Sequence, residues 1–419
     1  MAVKEVELDY GWDVDTYFSD GKIMWLLKNK YGVDVTRGAS GKLVLTGETV
    51  NVTRAMRVIS NVIGKMSKGE VVDTKKFNCL IALEQEGALE LEPFLNKICI
   101  GKTKNKQHKL TSITPMTLEQ FELVTHLLSG NVETVLTTGE AGSGKTYLTV
   151  CVASLLTGLV SFEAEEQKEL VKNIKAAMSK ADDLGCLPES MRRYLAGDNF
   201  RIASQLDNIV VLRPIVATQD IGFLPGTAEE KVEPYLKQVF VYLNEIPEEY
   251  RSKKFTNMIS TAKALIKDKE SIPTDLVSLA RSAGLIRVEL VELARGANFR
   301  NAFIMGDELE NVTVPVFETL LDRAEDGCKI AFSGDVRQCD LKPGMTSGLA
   351  LYADMYRHAK PEELWCAAVV DLKHPIRSVR IQANHQMLAK YLESNPDLNK
   401  QFKQSVYSHG VMPTINKSR

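Results

Sequence analysis

Apolar and polar residues alternate through VKEVELDY, the two-residue period of a strand. The period then lengthens. In GKIMWLLKNKYG, Ile23, Leu26, Leu27 and Tyr31 fall on one helical face. VDVTRGASGKLVLTG reads as a hairpin, two β-branched runs around a Gly/Ser turn. TVNVTRAMRVISNVIGKMSKG returns to helical spacing at Val52, Met56, Ile59, Ile63 and Met66, with Gly69 as a stop. Residues 1–75 therefore predict a small α+β domain of KH-like layout, strand, helix, hairpin, helix. A KH clamp needs its GxxG between two helices, whereas GASG lies in the hairpin. RNA binding and a plain packing or oligomerisation role both stay open for this unit.

Residues 76–115 read as a connector with a basic segment, where Lys102, Lys104, Lys106, His108 and Lys109 cluster. Such a run is either a solvated loop or a contact for a phosphate backbone. From 116 to 395 the pattern becomes strands alternating with helices. VETVLTT, NIVVLRPIV, NAFIMGD, CKIAFSGD and CAAVVDL are short runs rich in Val, Ile or Phe, the mark of a parallel sheet buried on both faces. Polar, helix-rich inserts are expected at about 160–205 and 244–288. Residues 396–419 form a polar C-terminal tail.

Composition adds bounds. A chain of 419 residues with 44% hydrophobic and 25% charged residues can bury a sizeable core in two or three domains. The formal charge of −2 gives no global attraction to nucleic acid, so such binding has to use local patches. Seven scattered cysteines without a CxxC pair point away from zinc fingers and disulfides and towards a reducing cytoplasm. No leader pattern and no apolar run of roughly 18 residues is seen, so no membrane partner is expected.

GEAGSGKT at 139–146 carries the strongest chemistry. In Gly139, Glu140, Ala141, Gly142, Ser143, Gly144, Lys145 and Thr146, the glycines let the backbone turn its N–H groups onto phosphates. The following helix adds its positive end. Lys145 is suited to the β- and γ-phosphates and the Thr146 hydroxyl to Mg²⁺. The loop follows a strand and precedes a helix, as a Walker A loop must. AFIMGDELEN ends an apolar run in Asp307 and Glu308, a metal-holding aspartate and a carboxylate placed to polarise water. FSGDVRQCDL ends another run in Gly334-Asp335 and supplies Gln338, an amide able to sense a γ-phosphate. Arg213, just past a strand's C-terminal end, is either a nucleotide or nucleic-acid contact or a buried structural arginine.

Taken in order, these pieces resemble the PhoH family of P-loop ATPases from about 98 to 389. TPMTLEQ, RPIVATQDIGFLPGTAEEKVEPYL, RGANFRNAFIMGDELEN, GDVRQCDLKPGMTSGL and VVDLKHPIRSVRI match its blocks. The resemblance implies a RecA-like P-loop NTPase core with a parallel sheet, ATP and Mg²⁺ as cofactors, and Gln120 as the reader of adenine. It also implies a link to RNA and a homo-oligomeric ring, a hexamer, in which a basic residue completes the neighbour's site. Two residues depart from the family pattern: Glu310 replaces a glutamine, and Lys373 replaces an arginine. Lysine is a point charge and not a bidentate fork, so Arg377, Arg380 or Arg295 are the candidates for the finger. The insert at 160–205 has no counterpart in the family, and a divergent version of this kind fits a bacteriophage origin, working in the host cytoplasm.

The expected function is Mg²⁺-dependent ATP hydrolysis coupled to binding, remodelling or unwinding RNA, as in a superfamily 1-like helicase. The alternative is a nucleotide-gated RNA-binding or scaffolding protein with slow turnover. A kinase with an unknown acceptor is the third reading.

Overall fold

A computed structural model describes residues 2–6, 16–37, 43–104, 109–195, 199–214, 241–265, 276–292, 294–342, 344–360 and 362–396. The GASG turn, Lys106, His108, the GFLPG and EKVEPYL segments and the tail from 397 lie outside these residues, as does the Arg295 side chain.

Three short strands open the chain: β1 (Ala2–Val6), β2 (Asp34–Arg37) and β3 (Leu43–Gly47). β3 is central and antiparallel to both neighbours, with Lys4 and Val35 each opposite Leu45. Helix α1 (Gly21–Tyr31) starts where the Asp20 side chain accepts from the Lys22 N–H. It stops at Gly32, whose φ of 67° suits a residue without Cβ. Helix α2 (Thr49–Met66) lays Val52, Ala55, Val58, Ile59, Val62 and Ile63 against the same core.

The stretch expected to be a connector is folded. Helix α3 (Thr74–Gln85), capped by Asp73, sends Phe77, Leu80 and Ile81 into the N-terminal core and Leu83 into the main one. Its buried Glu84 accepts from Tyr31 Oη at 2.8 Å and Arg54 Nε at 3.0 Å. Strands β4 (Gly101–Lys104) and β5 (Leu110–Ile113) then pair as a hairpin. Apolar residues on both sides of α3 make it a shared wall between the two cores.

The larger unit is a six-stranded, all-parallel sheet in the order β11-β6-β10-β9-β7-β8. These are β6 (Thr134–Gly139), β7 (Asn208–Arg213), β8 (Ile286–Leu290), β9 (Ala302–Gly306), β10 (Lys329–Gly334) and β11 (Ala367–Leu372). Successive residues enter opposite cores: Val135, Ile209, Val211 and Phe303 on one face, Leu136, Val210, Leu212 and Ile304 on the other. A sheet buried on both faces needs continuous apolar strands, and that is what the sequence showed. The flanking helices include α4 (Leu118–Leu128) and α5 (Lys145–Leu156). One strand, β10, separates the glycine-loop strand β6 from the Asp307 strand β9. This is the order of a RecA-like P-loop NTPase core, with the small α+β unit in front.

Two features go beyond the sequence reading. Among the described residues the sheet has six strands, one more than the five apolar runs. β8 was hidden at the end of the supposed 244–288 insert because it is an edge strand carrying the exposed ion pair Arg287–Glu289, 3.0 Å apart. That insert is the crossover into β8, built from helices α7 (Lys253–Leu265) and α8 (Leu276–Ser282). The insert at 160–205 is polar only on one side. Helix α6 (Ala164–Asp183), with a Glu163–Glu166 capping box, packs Leu170, Ile174, Ala177, Met178 and Ala181 into the main core. Each large apolar side chain so buried contributes about 1.5–3 kcal/mol. The buried His126 also ties the insert down, with Tyr194 Oη at 2.8 Å and Ser190 Oγ at 3.0 Å.

Candidate active site

The C-terminal ends of β6, β9 and β10 meet at one edge of the sheet, where open α/β sheets bind ligands. A cleft of about 700 Å³ opens there, lined by the loop after β6 and by the turns after β9 and β10. α5 begins directly after Gly144 with no side chain capping it, so its first N–H groups point into the cleft. Gly142 and Gly144 have φ of 86° and 96°. A Cβ at Gly144 would come within 2.9 Å of Gln120 Nε2, and one at Gly142 within 2.8 Å of Arg377 Cγ. The loop needs glycine for both backbone shape and space.

Lys145 lies across the loop, its Nζ donating to the Gly139 carbonyl at 2.7 Å and the Glu140 carbonyl at 3.0 Å. Burial lowers its pKa, and the nearby Asp307, Asp335 and Glu310 work in the opposite direction. Thr146 Oγ1 stands 3.0 Å from Asp307 Oδ2. Ser333 on β10 fixes the other oxygen of that carboxylate, Oγ to Oδ1 at 3.0 Å. A hydroxyl from the first turn of α5 and a carboxylate just past β9, converging beside a lysine, form the oxygen donor set that Mg²⁺ takes with phosphates. These residues therefore fit an ATP–Mg²⁺ pair.

Glu308 has φ 59°, ψ 36°, a left-handed backbone that is rare without glycine. The turn carries the side chain to Arg213, whose Nη2 is 2.5 Å from Glu308 Oε2 and whose Nη1 is 3.4 Å from Asp307 Oδ2. Arg213 is buried and binds both members of the acidic pair, so it organises carboxylates from behind. Gln338 Nε2 donates to Asp335 Oδ2 at 2.8 Å, which aims the amide into the cleft rim.

Gln120 is buried behind the loop. Its Nε2 donates to the Ser143 carbonyl at 2.8 Å and its Oε1 accepts from the Met116 N–H at 2.9 Å. In this conformation it braces the loop, and reading adenine would require it to release those bonds. Arg377 also holds the loop, its Nε donating to the Ala141 carbonyl at 2.5 Å, beside an Ile376 N–H to Gly142 carbonyl bond of 2.9 Å. Arg380 is exposed and lies outside the cleft lining. Lys373 is exposed as well.

Sequence reading gave no role to Arg337. It clamps Asp335 through Nε at 3.0 Å and Nη2 at 3.1 Å, and reaches Glu140 in the loop through Nη1. Burial opposes the Asp335 charge, yet Arg337 holds that carboxyl below its usual range. Its place between Asp335 and Gln338 in GDVRQ was the available signal. Ser333 left none, being one small residue in an apolar strand. Glu310 is the other surprise. Burial, with Glu308 and Asp307 adding to it, pushes its carboxyl up to about 8. Its Oε2 accepts from the Asp335 N–H at 3.2 Å.

The family model described as PhoH-like protein matches residues 195–391. PhoH-like proteins of Mycobacterium tuberculosis and Mycobacterium bovis are 26% identical over 370 residues, 88% of this chain and 82% of theirs. The Bacillus subtilis PhoH-like protein is 24% identical over 324 residues, 77% of each chain. Protein PhoH of Escherichia coli K12 is 29% identical over 152 residues, 36% of each. A match of 370 residues on a chain of 419 necessarily takes in both the loop at 139–146 and the acidic pair. Among the described residues no helix is long and apolar enough to cross a membrane. The span matched by the PhoH-like family model carries Asp307, Glu308, Asp335 and Gln338, and over most of its length the chain is similar to PhoH-like proteins.

Proposed function

We propose that this chain hydrolyses ATP with Mg²⁺ and couples hydrolysis to binding and remodelling nucleic acid, with RNA as the partner. The observation that carries the hydrolase reading is the 3.0 Å approach of Thr146 Oγ1 to Asp307 Oδ2 beside Lys145. Bound Mg²⁺ would supply the divalent charge that neutralises phosphate oxygens. Thr146 and Asp307 would hold it, with Ser333 fixing the rotamer of Asp307. Lys145 exchanges its bonds to the Gly139 and Glu140 carbonyls for bonds to phosphate oxygens. Glu308 accepts the proton of the attacking water once it leaves Arg213. Gln338 and Arg337, both braced on Asp335, read and neutralise the terminal phosphate. The RNA partner, any unwinding and a ring of six copies rest on the family resemblance, with Arg377 and Arg380 as the candidate fingers, and the cytoplasmic location rests on the scattered cysteines.

One observation favours a second reading, a nucleotide-gated scaffold. The candidate base Glu308 has its Oε2 engaged in an ion pair with a buried arginine, 2.5 Å away. Phosphate release with ATP and Mg²⁺, with and without single-stranded RNA, separates the two. On the hydrolase reading Glu308→Gln binds ATP as the parent does and loses at least about 100-fold in turnover. RNA raises the parent's rate and leaves the variant's unchanged. Tight ATP binding with equal, negligible release from both proteins selects the scaffold.

A further inference from the structure

Behind the glycine loop, away from the cleft, three segments bring titratable side chains together. Glu86 follows the end of α3. Glu119 lies in the first turn of α4, one residue before the Gln120 that holds the Ser143 carbonyl. His374 follows β11, two residues before the Ile376 that holds the Gly142 carbonyl. His374 Nδ1 is 2.6 Å from Glu119 Oε1 and 3.7 Å from Glu86 Oε1. One donor atom from each residue falls within 4.8 Å of the other two. Glu119 is 5% exposed, and its Oε2 is buried with no hydrogen-bond partner among the described residues. A buried carboxylate oxygen without a donor is costly, and a second carboxylate beside it raises the cost.

We propose that Glu86, Glu119 and His374 bind one divalent transition-metal ion, with Zn²⁺ as the probe. Bonds of about 2.0–2.1 Å to a tetrahedral ion put ligand atoms about 3.3 Å apart, between the two distances seen. One imidazole with two carboxylates suits Zn²⁺ or Mn²⁺. The set lacks the thiolates of a structural zinc finger and the all-oxygen shell that Mg²⁺ and Ca²⁺ take. Glu86 and His374 side chains remain 20% exposed, which leaves the ion an entry path and a place for water ligands. The ion joins α3, which the N-terminal unit shares, to the two segments that hold the loop by its Ser143 and Gly142 carbonyls. Its function is to fix the loop's backing, separate from the Mg²⁺ of the nucleotide.

The test uses the full chain without a histidine tag, loaded with Zn²⁺ and dialysed, with metal content and chelator competition as readouts. The expected result is one zinc per chain. Affinity falls at least about 10-fold in Glu86→Gln and in His374→Ala, and is unchanged in Asp307→Asn. Co²⁺ in place of zinc gives a visible absorption band that the two cluster variants lose. Glu86→Gln keeps size and shape, and circular dichroism checks that it folds. A parent chain that retains no metal overturns the proposal and leaves a proton shared between the carboxylates. Equal affinity in both cluster variants, or loss in Asp307→Asn, places the zinc elsewhere and overturns it as well.

Discussion

Glu310 stands where the family pattern has glutamine, and the structure gives that exchange a physical consequence. Its carboxyl, 4% exposed, is pushed up to about 8, chiefly by burial. The folded chain therefore keeps a proton that the unfolded chain releases near 4.5. The stability tied to that proton is complete below pH 4.5 and is lost as pH rises through 8. Its slope reaches at most about 1.4 kcal/mol per pH unit. Glu310→Gln has no proton to lose and keeps an acceptor for the Asp335 N–H. Its stability should fall less than the parent's between pH 5 and 8, and it should be the more stable protein at pH 8. Urea unfolding at three pH values across that range reads this. Parallel curves for the two proteins would contradict the account.

Helix α4 shows how an element is set at both ends. Its first turn carries Glu119 and Gln120, which act on the loop. Its last turn ends in carbonyls that need donors. Lys329, at the start of β10 and fully buried, supplies them: its Nζ donates to the His126 carbonyl at 3.1 Å, the Ser129 carbonyl at 2.6 Å, and the Val132 carbonyl. A lysine at the head of an apolar strand looks like a solvated strand end in sequence, and only its bonds to the end of α4 and the turn beyond it show otherwise. Lys329→Met keeps the length of the side chain and leaves three buried carbonyls unmet. We expect a loss of about 3 kcal/mol, measured by chemical denaturation. A loss under about 0.5 kcal/mol would mean that water replaces the ammonium.

At the scale of the molecule, the chain's end returns to its beginning. Helix α11 (Val379–Glu393; the intervening α9 and α10 are Val314–Leu321 and Gly348–His358) packs against α1, with Val379 inside the N-terminal core. Two residues earlier, Arg377 holds the loop. Docking of the N-terminal unit and the shape of the glycine loop are therefore joined through the four residues from Ile376 to Val379. Val379→Asp puts an unpaired carboxylate in that core, at a cost of about 2–4 kcal/mol. It should produce an early melting transition from the N-terminal unit and weaken ATP binding, since the segment carrying Ile376 and Arg377 loses its anchor. Calorimetry and nucleotide titration on the same samples check both. A single transition at the parent's temperature would show that the two units do not depend on each other.

The sequence by itself determined what short-range spacing encodes. The glycine loop needs positive φ and bare backbone within eight residues, so its residue types announce it. Strands buried on both faces must be continuously apolar, so five of the six were legible. Asp307 and Glu308 were legible because they end such a run. What only the tertiary structure decided depends on partners far apart in the chain. The edge strand β8 hid because one face meets solvent and carries charges. Arg213 stays open between a ligand contact and a buried structural arginine until its two carboxylates are seen. Gln120 turns out to brace the loop, and Glu86, Glu119 and His374 come together only when three segments fold behind it. The reason is the same each time: spacing along the chain records the local period, whereas charge pairing and burial depend on which distant segment arrives.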